Sequence, residues 1–382
     1  MKNQQAMSVK FYVLKLMQWQ SHYGFRFAIL IFMSFFHSKT SGQNLAAYTD
    51  YRGNLQVFDG GLYRQLEYLP VKDYKYSGGG GVAYIDNKND FKIYSNGATI
   101  SMVNAADFQY DVTDYLITFK VGNVLYAFDR GQKKTLCYYN SIMAVNDSVI
   151  AYFDDSKNTF NAYYNGKVVD LEDSYLDKPK SIKTGANTIA WVNQSDYFNV
   201  FYHGELKQLD NVPPLQFAAG RDLVAYVDNY LQQFHLFYFG DTAMVETFPP
   251  DSFKVGFANM AYVDQLGNFR VFENGSTFKV LSDRPAFFEV KGNTIVYSYN
   301  NNFSVYYDGK STVLQSWSPT NFQIGNDGIA WIGDNGNLML FHKGNTYTVS
   351  YENVNSYTYN GNVLKYEVGN NTTTIFYNGK NQ

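Results

Sequence analysis

Histidines, cysteines and carboxylates are the natural starting points for chemistry, and the first two are scarce here. Beyond the first forty residues only His203, His235 and His342 remain, and no His-x-x-x-His or Cys-x-x-Cys pair is present to hold a metal. Each histidine reads as an ordinary strand or surface residue. Cys137, in "KKTLCYYN", is the single cysteine, which rules out an intramolecular disulfide, a lipid-attachment site beside a leader and a thiolate zinc centre. It reads as a small apolar strand residue. Nothing resembles a nucleophile elbow or a Ser-x-x-Lys motif. "SGGGG" (77–81) could cradle a phosphate, but its siblings elsewhere read "GND" and "GFAN", so it is a turn. The acidic stretches "DNKND" (86–90), "DDSKN" (154–158) and "GDNGN" (333–337) lack the full calcium-loop register with its distal Glu. Carboxylates are plentiful, yet no pair receives acid and base roles from sequence. No catalytic, metal-binding or cofactor-binding residue is assigned, and the binding residues stay open.

The N-terminus is a separate element. It carries Lys2, Lys10, Lys15, Arg26 and Lys39 without an acidic residue, then the apolar run "FAILIFMSFF" (27–36) and "HSKTSGQN". That pattern predicts a cleaved export signal over 1–42, with a core too short for a membrane span of about 20 residues. The whole chain is −3 and the leader +5, leaving −8 on residues 43–382. A net negative charge without a basic stripe argues against nucleic-acid binding.

What remains is one sentence written ten times. "GIAWIGDNGNLMLFHKG" (328–344) recurs as "TIAWVNQSDYFNVFYHG" (188–204), "MAYVDQLGNFRVFENG" (260–275) and "TIVYSYNNNFSVYYDG" (294–309). An aromatic anchor marks each copy: Tyr48, Tyr84, Phe119, Tyr152, Trp191, Tyr226, Tyr262, Tyr297, Trp331 and Tyr366. An aromatic-x-x-Gly follows 12 to 14 residues later, with glycines from Gly61 to Gly379. Each unit reads as four strands, a to d. Asn-Gly or Asp-Gly at the c–d corner suits a two-residue type I′ hairpin. The prolines fall mainly between units, where no ladder donor is lost.

Strand b, "IAWIG", is apolar on both faces, so both must be covered. Its Ala side is small in seven of ten copies, with Thr118, Val296 and Lys365 the departures. A small face against a large ring predicts sheets stacked in series, each ring entering its neighbour's hollow. Burying one ring of about 150–250 Å² contributes roughly 4–6 kcal/mol as an upper bound. The fold class is therefore all-β: a β-propeller of ten short four-stranded repeats over 43–382. A single large ring is expected, with two five-bladed rings divided near Pro213–Pro214 as the rival. Unit 1 lacks room for a strand a and unit 10 for a strand d, giving 38 strands and two thinner blades.

The order "DG-IAWIGDNGN-LMLFHKG-TYTVS" resembles the repeat of TolB-like propellers, in which an Asp-Gly-x-Ile-Ala-Phe strand precedes a Gly-Asn-x-x-Ile-Tyr strand. That likeness spans almost the whole mature chain and implies structure, not activity. A leader ending in Gln, a Tyr/Asn-rich composition and no appended sorting module resemble envelope proteins of Bacteroidetes. Among these, the chain is similar to a soluble propeller-like subunit that plugs the outer-membrane translocon of the type IX secretion system. The resemblance implies a protein partner in the cell envelope and a periplasmic location, with secretion or surface display as alternatives. The expected function is non-catalytic protein binding by a chain that does not itself span the membrane. A glycan-binding protein and a carboxylate-dependent hydrolase at the channel mouth are the competing readings.

Overall fold

The computed structural model describes residues 44–104, 108–172, 178–370 and 372–382. The export signal expected over 1–42 lies outside the described residues. Ten antiparallel sheets follow one another along the chain, nine with four strands and the first with three. No helix occurs among the described residues, so none is long and apolar enough to cross a membrane. Blade 1 runs from Leu45 to Pro70 and blade 10 from Val354 to Asn381.

The repeat's two anchors act as expected. Ala225 of blade 6 shares a core cluster with Tyr262 of blade 7. The same pairing links Ala261 to Tyr297, Ala330 to Tyr366 and Ala190 to Tyr226. Each ring thus crosses into the hollow that the preceding blade leaves over its alanine. The polar tip of the ring is caught at the end of that blade's strand d. Tyr262 Oη donates to Glu246 at 2.7 Å, Trp331 Nε1 to Gln315 at 2.7 Å and Tyr84 Oη to Glu67 at 3.1 Å. A buried hydroxyl or indole N–H left without such a partner would cost about 1–3 kcal/mol.

The second anchor is tied in the same direction. Tyr94 donates to Asp59 at 2.7 Å, Tyr163 to Asp129 at 3.0 Å and Tyr306 to Glu273 at 3.2 Å. The c–d corners are the expected hairpins: Asn165 and Gly166 have φ of 51° and 80°, Asn274 and Gly275 of 52° and 77°.

The ring is single and closes on itself. Asn362 Nδ2 of blade 10 donates to Asn44 Oδ1 at 2.9 Å, and the Phe58 ring meets Tyr377 edge-on at 5.3 Å. The two-ring alternative fails because blades 5 and 6, on either side of Pro213–Pro214, share one core.

Two expectations need correction. Unit 10 does form a strand d, Lys380–Asn381, which makes 39 strands among the described residues. The closing interface also departs from the ring-in-hollow rule. Lys365 stands where other blades have a small residue, and Tyr48 is only half-buried. The Lys365 ammonium instead donates to Ala47 O at 3.2 Å and sits 5.6 Å over the Tyr76 ring.

Among the described residues, strand a of blade 2 (Asp73–Ser77) is the inner strand that follows that of blade 10. A Cβ on Gly78 would lie 3.1 Å from Gly361 Cα, so the two corners touch. Nine inner strands are present among the described residues.

Candidate functional site

Because successive strands run antiparallel, the a–b and c–d corners share one face of the disc, and the b–c and d–a connectors share the other. The two faces differ in chemistry, and between them runs the channel.

At the a–b face the inner strands converge on a collar of corners. Backbone bonds stitch neighbours together: Arg221 N to Gly256 O at 3.0 Å, Phe257 N to Gly292 O at 2.8 Å and Asn293 N to Asn326 O at 2.6 Å. Glycine is required for space here. A Cβ on Gly185 would overlap Gly220 O, one on Gly220 would overlap Gly256 O, and one on Gly256 would overlap Gly292 O.

Side chains then reach across the opening. Arg221 Nη2 of blade 6 donates to Asp147 Oδ2 of blade 4 at 2.6 Å, while its guanidinium stacks 3.5 Å from the centroid of Phe257. Asn326 Nδ2 of blade 9 donates to Asp114 Oδ2 of blade 3 at 3.0 Å, and Ser77 of blade 2 donates to the same carboxylate. The nine described inner strands line the cavity of about 410 Å³ that remains at this end.

Asp147 is buried, and that desolvation, with Asp114 nearby, pushes its pKa up to about 6 against the pull of Arg221. Repeat reading missed this cluster. These residues lie in corners that vary from unit to unit, and nothing in their spacing shows that blades 3, 4, 6 and 9 meet.

The three histidines are kept apart. His203 Nε2 lies 3.1 Å from Asp222 Oδ1 and 3.0 Å from Asn187 Nδ2, bridging a hairpin tip to neighbouring corners. His235 Nε2 is 3.4 Å from Asp228 Oδ2 and its ring stacks on Tyr226. His342 Nδ1 is 2.8 Å from Tyr359 Oη, and burial lowers its pKa to about 4. Among the described residues no group of His, Cys, Asp and Glu is arranged to hold a metal. Cys137 is buried, which pushes its thiol pKa up to about 12.

The acidic b–c turns satisfy their own backbone. Asp86 Oδ1 accepts from Lys88 N at 2.8 Å and Asp90 N at 2.9 Å, and Lys92 Nζ lies 2.9 Å from Oδ2. Burial opposes its ionisation, yet Lys92 and those amides hold it below the usual carboxylate range. "SGGGG" is an a–b corner, as expected from its siblings.

The opposite face carries the apolar surface. Among the described residues, twelve exposed large apolar residues sit in its b–c and d–a connectors, against two, Tyr115 and Phe239, in the corners of the a–b face. The most open are Tyr230 at 87 %, Leu266 at 85 %, Tyr51 and Tyr351 at 82 % and Trp317 at 64 %. Adjacent rings in strand c do not contribute: Tyr163, Phe201 and Phe237 are buried. The exposed aromatics come from loops, where no periodicity marks them.

The ten blades, with side chains crossing the hub at one end and exposed apolar residues on one loop face, make a single closed propeller. The chain belongs to the 10-bladed beta propeller domain family, whose profile matches residues 39–382. No curated protein matches it. Among solved structures it is similar to a eukaryotic initiation factor, with 12% identity over 74% of this chain and 90% of that one and a TM-score of 0.41. It is also similar to the ectodomain of the receptor kinase CR4 from Physcomitrella patens, with 9% identity over 75% and 74% and a TM-score of 0.34.

Proposed function

We propose that this protein is an exported, non-catalytic binding subunit of the bacterial cell envelope, which docks a protein partner through its b–c/d–a face. The observation that carries this reading is the twelve-to-two concentration of exposed large apolar residues in the connectors of that face. Exposed Tyr and Trp on a rigid scaffold are suited to be interface anchors. The opposite face, with Asn-Gly and Asp-Gly hairpin tips, offers little apolar area to bury.

The closed hub supports a finer reading, that the disc seals or regulates an outer-membrane translocon such as that of type IX secretion. A ring seated over a pore must not itself leak, and the bonds from Asp114 to Asn326 and from Asp147 to Arg221 cross its opening. The leader pattern supports export and a periplasmic location. Affinity purification of the tagged full chain from detergent-solubilised envelope is the test. A stoichiometric outer-membrane protein is expected; recovery of the chain alone, or in the culture medium, would count against the reading.

A further inference from the structure

We propose that the protein partner docks on one half of the b–c/d–a face, the arc from the b–c turn of blade 6 to that of blade 10, and that its own contact surface carries Lys and Arg around apolar side chains. This rests on the reading above and adds the partner's chemistry to it.

Charge divides the face in two. Among the described residues, the connectors of that arc hold six acids, Asp228, Asp251, Asp264, Asp283, Asp334 and Glu352, and one base, Arg284. The connectors of blades 1 to 5 hold six bases and five acids. There the opposite charges meet one another: Lys178 Nζ lies 3.1 Å from Asp155 Oδ1, and Lys180 Nζ 2.6 Å from Asp196 Oδ1.

Along the acidic arc, three of the six acids are taken up inside the molecule. Arg284 pairs with Asp251, and Arg270 Nε lies 2.7 Å from Asp264 Oδ2. Asp228 accepts from the amides of Tyr230, Leu231 and Gln233. The other three, Asp283, Asp334 and Glu352, are exposed. Asp283 accepts from Tyr299 Oη at 2.8 Å and Asp334 from Gln315 Nε2 at 3.2 Å, neutral donors that leave the charge in place.

Apolar anchors alternate with these acids around the ring. Tyr230 and Leu231 stand in the b–c turn of blade 6, and Phe248 and Leu266 follow in the next two connectors. Trp317 lies between Asp283 and Asp334 in the order of the connectors, and Tyr351 is next to Glu352. A partner that buries these rings also brings its surface against the acids. An acidic surface would meet like charge, and a neutral one would strip water from carboxylates without pairing them. Lys and Arg would pair them, and Arg also stacks on Tyr and Trp rings.

Fluorescence anisotropy of the full chain with a labelled Leu-Trp-Lys amphipathic peptide, and with the same peptide carrying Glu for each Lys, tests this chemistry. The Lys peptide is expected to bind, and to bind about 10-fold more weakly as salt rises from about 50 to about 500 mM. The Glu peptide is expected not to bind. Asp283→Asn, Asp334→Asn and Glu352→Gln combined should weaken binding of the Lys peptide by about 10-fold. Glu205→Gln, Asp241→Asn and Asp308→Asn, the same change of charge on the opposite face, should leave it within about 2-fold. No binding of the Lys peptide, equal binding of both peptides, or equal weakening by the two triple variants would overturn the proposal. In purification from detergent-solubilised envelope, recovery of no partner would defeat the reading above as well. A partner held equally by the parent and by the Asp283, Asp334 and Glu352 triple variant would defeat this inference alone.

Discussion

At the residue scale, the strongest constraint is that a side chain's value depends on which blade faces it. Trp331 and Tyr262 are legible in the sequence because they recur in register and pack over the same strand position of the previous unit, Val296 and Ala225. Their capping partners, Gln315 and Glu246, were not legible, because those residues lie at strand ends where the repeat varies. Asp147 was invisible for a related reason: its neighbours Asp114 and Arg221 come from other blades. Its titration gives a sharp expectation. The folded pKa of about 6 stands above the ordinary value of 3.8, so the folded state binds the proton more tightly. Stability from this group is present below about pH 4 and lost as pH rises through about 6. Asp147→Asn should therefore flatten the fall in thermal midpoint between pH 4.5 and 7.5. The difference from the parent should be on the order of 2 kcal/mol at the upper end, measured by calorimetry at each pH.

At the element scale, corners and hairpins carry the strain. The first hairpin position is left-handed throughout, as the Asn-Gly and Asp-Gly dipeptides foretell. Phe239 occupies it in blade 6 with a φ of 48° and is 54 % exposed. Phe239→Asn should stabilise the protein by about 0.5–1 kcal/mol, seen as a raised denaturant midpoint with unchanged slope. Gly220 is constrained by space rather than by φ. Gly220→Ala would drive its Cβ into Gly256 O at the collar, and a loss of at least about 2 kcal/mol is expected in chemical unfolding. The sequence shows these glycines closing strand a in "FAAG", "FKVG" and "FQIG", but it does not show that the corners are pressed together. That crowding is a property of the ring, set by how many inner strands converge.

At the scale of the whole molecule, ten blades close into a single ring, with nine inner strands among the described residues. Repeat counting found the ten blades, and it left the closure open because no short-range pattern records which corner meets which. Lys365 in an alanine position was the one visible sign that the last interface differs. The side-chain bonds across the hub and the apolar connector face both emerge only on assembly, and the proposed function uses them to orient the disc, with the connector face to bind. The most direct measurement of that orientation is co-purification of the envelope partner with two sets of variants of equal folded stability. Tyr51→Ser, Tyr230→Ser and Tyr351→Ser combined should abolish the stoichiometric partner, while Asn165→Ser, Asn274→Ser and Asp308→Ser on the hairpin tips should retain it. Retention by the first set, or loss only with the second, would contradict the assignment of the binding face.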